Sequence, residues 1–329
     1  CFLVFDEEAL DWSLPLVGDV SPDFSWDWLI DLPWSGPARR LYEPLVLPTV
    51  PKAKGWSVLW PEAASPQSSS NGALVRIEVH AKSGWYRIDS GQAAILGHWE
   101  PTGAPPFASH GHCDTGSFCL YIKGRPVFVD PGRFNYQSGD AKGLYGLSAR
   151  AHNSVLVDGF EPFVYWQGTR LPDFYRFGRA AACLIDNGTL PALRIEHDGF
   201  SRIGSFGIKF KRTLKLQPGL LIIEDEITGD GEHGIDTYFH WSPEYEVSRT
   251  SARGSFEVKR KDQDGMLRFD IGDSGSLNES FELVAGRESP LPLGWFFSGY
   301  GRCVPATTLH IQVHAALPYR RCFTLSWEI

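Results

Sequence analysis

Beyond position 72 the chain is a succession of short runs in which apolar and polar residues alternate. ALVRIEVH (73–80), SFCLYI (117–122), PVFVD (126–130), NSVLVD (153–158), ALRIEH (192–197) and IKFKRTLKL (208–216) make up the first half. LLIIEDEI (220–227), DTYFHW (236–241), SFEVKRK (255–261), MLRFDI (266–271), LHIQVHA (309–315) and CFTLSWEI (322–329) make up the second. Turn residues separate the runs, and almost no stretch keeps the period of about 3.6 that marks an amphipathic helix. A period of two puts one face of each strand against a core. The pattern therefore predicts an all-β fold, a large antiparallel β-sandwich. Gln217-Pro218-Gly219, set between 213–216 and 220–223, predicts a hairpin.

Residues 1–60 differ. Trp12, Trp26, Trp28, Trp34, Trp56 and Trp60 are interspersed with prolines and acidic residues without a sustained period. This predicts an irregular or partly helical wrapping segment whose tryptophans serve as core. PEAASPQSSSN (61–71), closing on Asn71-Gly72, is a hairpin or linker signal, so a boundary is placed there. Residues 1–72 are expected to form an N-terminal connector, and 73–329 the sandwich.

Composition narrows the function. A chain of 329 residues, 43% hydrophobic, can bury a sizeable core. Its net charge of -8 disfavours broad attraction to nucleic acid or to an anionic membrane. No run approaches the roughly 18 apolar residues of a membrane-spanning helix. The first residue is Cys1 and the sole methionine is Met266, so the sequence is expected to begin after a removed or omitted segment. Six cysteines without a CxxC pair argue against a thiolate zinc finger or a disulfide scaffold.

The chemistry concentrates in ASHGHCDTGSFCLYIKGRPVFVDPG (108–132). His110, His112 and Asp114 are two apart, so on an extended strand they share one face while Cys113 points to the other, apolar one. Asp130 follows the apolar strand 127–129 and begins the turn Asp130-Pro131-Gly132; its bland role is that of a turn cap. His152 stands before the strand 154–157, again at a strand lip. Two imidazoles and a carboxylate from three strand ends can converge on a tetrahedral zinc ion with water in the fourth position. A rival is a two-histidine, one-carboxylate iron site in a cupin-like barrel. The glutamate it requires shortly after the histidine pair is absent, since Gly116 and Ser117 occupy that region.

HGHCDTGSFCLYIKGRPVFVDPGRFNY and the later RAHNSVLVDG resemble the β-sandwich domain of heparinase II/III-type polysaccharide lyases, a group that includes heparin, heparan sulfate and alginate lyases. The resemblance covers about 73–329, with HxHxD, VDPG and AHN in that order. KRTLKLQPGLLIIEDEITGD and YFHWSP are similar to that family's strands as well. It implies β-elimination on an acidic, uronic-acid-containing polysaccharide, heparin/heparan sulfate-like or alginate-like, in a periplasmic or secreted setting. It also implies an N-terminal (α/α) toroid domain of the same protein as partner, for which residues 1–72 lack the amphipathic helices. Carried over by position, His110 is implied as the proton-transfer or charge-neutralising residue. His112, Asp130 and His152 are implied as the ligands of a structural zinc. Asp114 is implied to support the substrate site, and Tyr136 and Arg150 to face the sugar, Tyr136 as a second candidate catalytic group.

A non-catalytic carbohydrate-binding sandwich remains the alternative from another class. Lys209, Lys211, Arg212 and Lys215, like Arg253, Lys259, Arg260 and Lys261, are expected on solvated strand faces. His197, His233, His240, His310 and His314 show no ligand spacing and are expected to be structural.

Overall fold

The computed structural model describes residues 4–6, 11–13, 67–68, 75–81, 84–99, 111–137, 139–167, 172–175, 179–185, 190–204, 206–262, 265–273 and 278–328. The expected wrapping segment and the boundary at 72 lie outside the described residues, apart from the short strands below.

In chain order, β1 (Val4–Asp6) and β2 (Asp11–Ser13) form a hairpin. A six-stranded antiparallel meander follows: β3 (Gln67–Ser68), β4 (Val75–His80), β5 (Trp85–Ser90), β6 (Ala93–His98), β7 (Phe118–Ile122) and β8 (Arg125–Phe128). After α1 (Ala141–Leu147) come β9 (Val155–Val157) and the hairpin of β10 (Val164–Gln167) with β11 (Pro172–Tyr175). Then come β12 (Ala180–Ile185), β13 (Ala192–His197), β14 (Lys209–Gln217), β15 (Leu220–Thr228), β16 (Glu232–His240), β17 (Tyr245–Arg249), β18 (Ser255–Arg260) and β19 (Met266–Ile271). β20 (Glu279–Val284), β21 (Trp295–Gly299), β22 (Arg302–Pro305), β23 (Thr308–Ala316) and β24 (Tyr319–Trp327) complete the chain. All twelve runs read from the alternation are strands, and β14 and β15 are the hairpin predicted around Gln217-Pro218-Gly219.

Two layers result. One is an eight-stranded sheet in the order β12-β13-β14-β15-β24-β19-β18-β17. The other is made of the six-stranded meander and the sheet β20-β23-β16-β9, joined by a bridge between Phe128 and Trp241. On either side of that bridge the Val129 N–H donates to the His240 carbonyl and the Ser242 N–H to the Val127 carbonyl. The sheets have free edges, unlike the closed barrel of the cupin alternative. Inward side chains of the eight-stranded layer, among them Leu193, Leu214, Ile223, Phe269 and Phe323, pack against Ile88, Ile95 and Phe128 and against Phe239 and Leu309 opposite. Burying this apolar surface is the main term holding the layers together, at about 25 cal/mol per Å².

Local chemistry sets the details. Lys123 (φ 53) and Gly124 (φ 80) form the two-residue turn between β7 and β8, where two consecutive positive φ values favour glycine. The helix α1, AKGLYGL, has two glycines and a poor intrinsic propensity. It forms because Asp140 accepts the Gly143 N–H at 2.7 Å and because Tyr145 and Leu147 are buried. Among the described residues no helix is long and apolar enough to cross a membrane.

Arg212 corrects the expectation for the basic run. Lys209, Lys211 and Lys215 lie on the outer face of β14, with Lys215 paired to Glu224 at 2.7 Å and Lys211 paired to Glu226. Arg212 points the other way and is fully buried. Its Nε and Nη2 each lie 2.7 Å from an oxygen of Asp225, a two-pronged contact. Its Nη1 donates to the carbonyls of Gly116 and Asn153. Strand alternation assigns Arg212 to the inner face; the composition of the run concealed it.

His233 is the clearest structural histidine. Its Nδ1 lies 2.7 Å from Asp158 Oδ2 and its Nε2 2.9 Å from the Asp230 carbonyl, an arrangement that suits the doubly protonated ring. Burial opposes the charge, but these contacts outweigh it and hold the pKa above the ordinary value. Because the folded-state pKa is the higher one, the contact stabilises fully below the unfolded pKa, and the contribution fades as pH rises through the folded value. Asp158→Asn keeps the left-handed turn (φ 51) and removes the charge. Its stability deficit in urea is expected to be about 1–2 kcal/mol near pH 5.5 and to shrink at pH 8.5; a deficit independent of pH would contradict this assignment.

Candidate functional site

The described part of HxHxD, residues 111–114, is irregular backbone, and residues 115 and 116 form a turn in which Gly116 has φ 78. The segment is held from two sides instead. The Cys113 N–H donates to the Leu147 carbonyl at 2.8 Å, and the Cys113 side chain packs with Tyr145, Leu147, Ala151 and Phe297. Cys113 thus lies in an apolar cluster as expected, and burial raises its thiol pKa. His112 and Asp114, on either side of it, are buried beside polar partners. His110 lies outside the described residues.

Asp130 leaves β8 at the seam between the two smaller sheets. One oxygen accepts the Gly132 N–H at 3.0 Å, the turn-capping role; Gly132, with φ 74, suits that tight turn. The other oxygen lies 2.7 Å from His152 Nδ1. Asp130 is therefore both a cap and a partner of the site. His152 follows a short 3₁₀ turn, Ala149–Ala151, whose start is fixed when the carboxylate of Glu161 accepts the Ala149 N–H at 2.8 Å and bonds Ser148 Oγ. The rings of His112 and His152 are 5.5 Å apart, centroid to centroid.

Three of the expected residues therefore converge: His112, Asp130 and His152 are each at most 2% exposed. Asp114 joins them from the HxHxD turn. Burial pushes its carboxyl pKa up, yet the imidazoles of His98, His152 and His112 more than offset this and hold it below its ordinary value. Burial pushes His152 down, and Asp130 reverses the sign, with a net rise. His240, behind His152, is different. Burial, helped by His152, drives its pKa to about 3, so it is neutral and shares a 2.9 Å hydrogen bond with Thr308 Oγ1.

Zinc can be tested against this donor set. Two imidazoles and a carboxylate in a water-poor pocket are ligands it accepts, and His152 Nε2 is buried with no hydrogen-bond partner. As placed, however, Asp130 is bonded to Nδ1 of His152, across the ring from the free Nε2, so the two groups do not face one common point. Among the described residues no three His, Cys, Asp or Glu side chains already stand in a metal-holding geometry. The residue types suit the ion, and holding it on all three would require the Nδ1 contact to open and the His152 ring to turn.

Arg150 and Tyr136 are less buried than this cluster. Arg150 is half-buried on the 3₁₀ turn, its backbone N–H donating to Ser148 Oγ at 3.3 Å. Tyr136 is 37% exposed, with its ring 6.0 Å from that of Tyr300. Sequence reasoning missed His98, whose Nδ1 is 3.9 Å from Asp114 Oδ1. It missed Asn153 as well, although the residue sits inside the AHN element. Asn153 is fully buried, and its amide donates to the Phe118 and Val129 carbonyls at 2.7 and 3.1 Å. Its Oδ1 accepts the His240 N–H at 2.7 Å, and its own N–H donates to Ser117 Oγ at 3.0 Å.

Residues 76–328 match the family model described as "Heparinase II/III-like, C-terminal", and the chain belongs to that family. Among solved structures it is similar to a heparinase III gene product, with 16% identity and a TM-score of 0.64 over 97% of this chain and 44% of that one. It is similar also to heparan sulfate lyase HepC from Pedobacter heparinus, with 13% identity and a TM-score of 0.59 over 82% of this chain and 39% of that one. At these identities the likeness establishes the fold. The chain spans less than half the length of either structure. No curated protein sequence matches it.

Asn153→Ala removes three side-chain hydrogen bonds and leaves buried backbone groups of three strands without partners. Chemical denaturation is expected to show a loss of about 3 kcal/mol or more. A variant within about 0.5 kcal/mol of the parent would refute the anchoring role assigned to Asn153.

Proposed function

We propose that this chain is the sandwich half of a polysaccharide lyase that cleaves a uronic-acid-containing polymer by β-elimination. The observation that carries the proposal is the convergence of His112, Asp114, Asp130 and His152 at one seam of a sandwich belonging to this family. In the elimination a base takes the C5 proton and the electron pair forms the C4–C5 double bond. The C4–O bond breaks, and the leaving glycosidic oxygen takes a proton. Neutral imidazole has a pKa suited to the base.

His110 is the proposed base or charge-neutralising group, two residues from the buried His112 and three from Cys113, whose backbone is tied to Leu147. Asp114, held ionised, is proposed to orient an imidazole or a sugar hydroxyl at the mouth of the cluster. Arg150 and Tyr136 are proposed to meet the sugar, Arg150 through its positive charge. His112, Asp130 and His152 are the proposed zinc ligands, and a zinc ion held by them would supply a fixed positive point between three segments. A helical domain of the same polypeptide is proposed to supply the acid, and the periplasm or the exterior to supply the acidic polysaccharide.

The test is to express the chain together with its upstream coding region and follow ultraviolet absorbance of unsaturated uronate over heparan sulfate, heparin and alginate. Product is expected from at least one polymer, with His110→Ala slower by roughly 100-fold or more and metal analysis of that variant unchanged. The parent is expected to carry about one zinc per chain, and His152→Ala to lose it. If no polymer yields unsaturated product while binding persists, the protein is a carbohydrate-binding module.

A further inference from the structure

His197 is a buried titratable group that the chemistry above leaves unused. It ends β13, 4% exposed, with Phe210 opposite it on β14. Its ring lies 5.6 Å from that of Phe163, 5.3 Å from Phe200 and 5.1 Å from Phe210, all three of them buried. Inside this cage its Nδ1 has no hydrogen-bond partner. A neutral imidazole tolerates such a place, whereas an imidazolium needs an acceptor for each N–H and an anion beside it. Asp198 is the one nearby anion acting on the ring, and its carboxylate is engaged by the Arg179 N–H. Arg212 from β14 and Arg202 from the 3₁₀ turn Gly199–Arg202 repel a further positive charge. Glu161, on the loop that carries Phe163, turns its carboxylate to Ser148 and Ala149 instead. Burial dominates and holds the His197 pKa at about 3, with Asp198 opposing and the two arginines adding to the shift.

The cage seats a loop that clamps the candidate site. Arg202 donates to the carbonyls of Glu161 at 2.5 Å and Pro162 at 3.0 Å. A Cβ on Gly199 would stand 2.1 Å from the Pro162 oxygen, so the 3₁₀ turn lies directly on the loop. From that loop the Glu161 carboxylate accepts the Ala149 N–H at 2.8 Å and bonds Ser148 Oγ, while the Phe163 carbonyl lies 3.7 Å from Cys113 Sγ. Residues 161–163 thus touch both the AHN turn and the HxHxD segment. We infer that His197 is the latch of this clamp: neutral, it keeps Phe163 seated and the loop closed; protonated, it leaves the cage and frees the turn that carries Arg150 and His152. Its bearing on catalysis rests on the lyase proposal, but the opening itself does not. Because the closed-state pKa lies below the ordinary 6.5, the open form takes up the proton first. The latch therefore holds fully above about pH 6.5 and weakens as pH falls, the open population rising roughly tenfold per pH unit until the closed-state value is reached.

The experiment follows hydrogen exchange of the Ala149 amide in this chain between about pH 4.5 and pH 6.5, each rate divided by the intrinsic rate at that pH. In the parent, protection of Ala149 is expected to fall roughly tenfold per pH unit, while the amides of β15 and β24 keep theirs. His197→Leu should make the profile flat, and His197→Gln should do the same if the leucine variant fails to fold. Every other titratable group, His240 included, is common to these chains, so the difference isolates His197. A flat profile in the parent, or an unchanged slope in the variant, overturns the latch. So does an equal loss of protection in β15 and β24, which would mark unfolding of the whole sandwich rather than release of one loop. The measurement needs no substrate. His197-dependent opening without unsaturated product from the upstream-extended protein removes the lyase proposal and leaves the latch; unsaturated product with an unchanged slope in His197→Leu does the reverse.

Discussion

Arg212 and Asn153 form the junction on which the candidate site hangs. A buried guanidinium is costly to desolvate and is tolerated only when every N–H is matched. Asp225 takes two of the donors in a fork, and the carbonyls of Gly116 and Asn153 share the third contact point. Gly116 ends the HxHxD turn and Asn153 ends the AHN turn, so one side chain from the eight-stranded layer fixes both. Asn153 passes the constraint on to β7, the end of β8 and the end of β16. The turns lack ladder hydrogen bonds of their own, and this junction supplies them.

Irregular backbone held this firmly explains how four titratable side chains share a dry pocket without scattering. Asp130 bonds the imidazole of His152, and Asp114 lies among the imidazoles of His98, His152 and His112, so no carboxylate is buried without a polar neighbour. His240 completes the wall as a neutral ring and adds no further charge. The direct contact of Asp130 with His152 ties the turn after β8 to the 3₁₀ turn before β9.

The same rigidity reaches the surface. From Asp130 the chain is capped at Gly132, laced to β21–β22 and ended by the Tyr136 and Tyr300 contact.

Strand content was legible along the chain because alternation reports one-sided burial, and all twelve runs are strands. β6, AAILGH, was not, since it is buried on both faces and shows no alternation. The strand-lip positions of Asp130 and His152 followed from local pattern, and so did the apolar side of Cys113. The true path of HxHxD did not, because a turn pinned by Leu147 and Arg212 depends on residues far along the chain. Arg212 looked like one more surface cation until Asp225 faced it across the ladder, and Asn153 looked like a neighbour of the histidine until five partners surrounded it. The sequence by itself determined the β architecture and the types of group available for chemistry, because both rest on short-range periodicity and side-chain identity. Only the tertiary structure decided which of those groups share one pocket, because their closeness is set by hydrogen bonds and packing between distant segments.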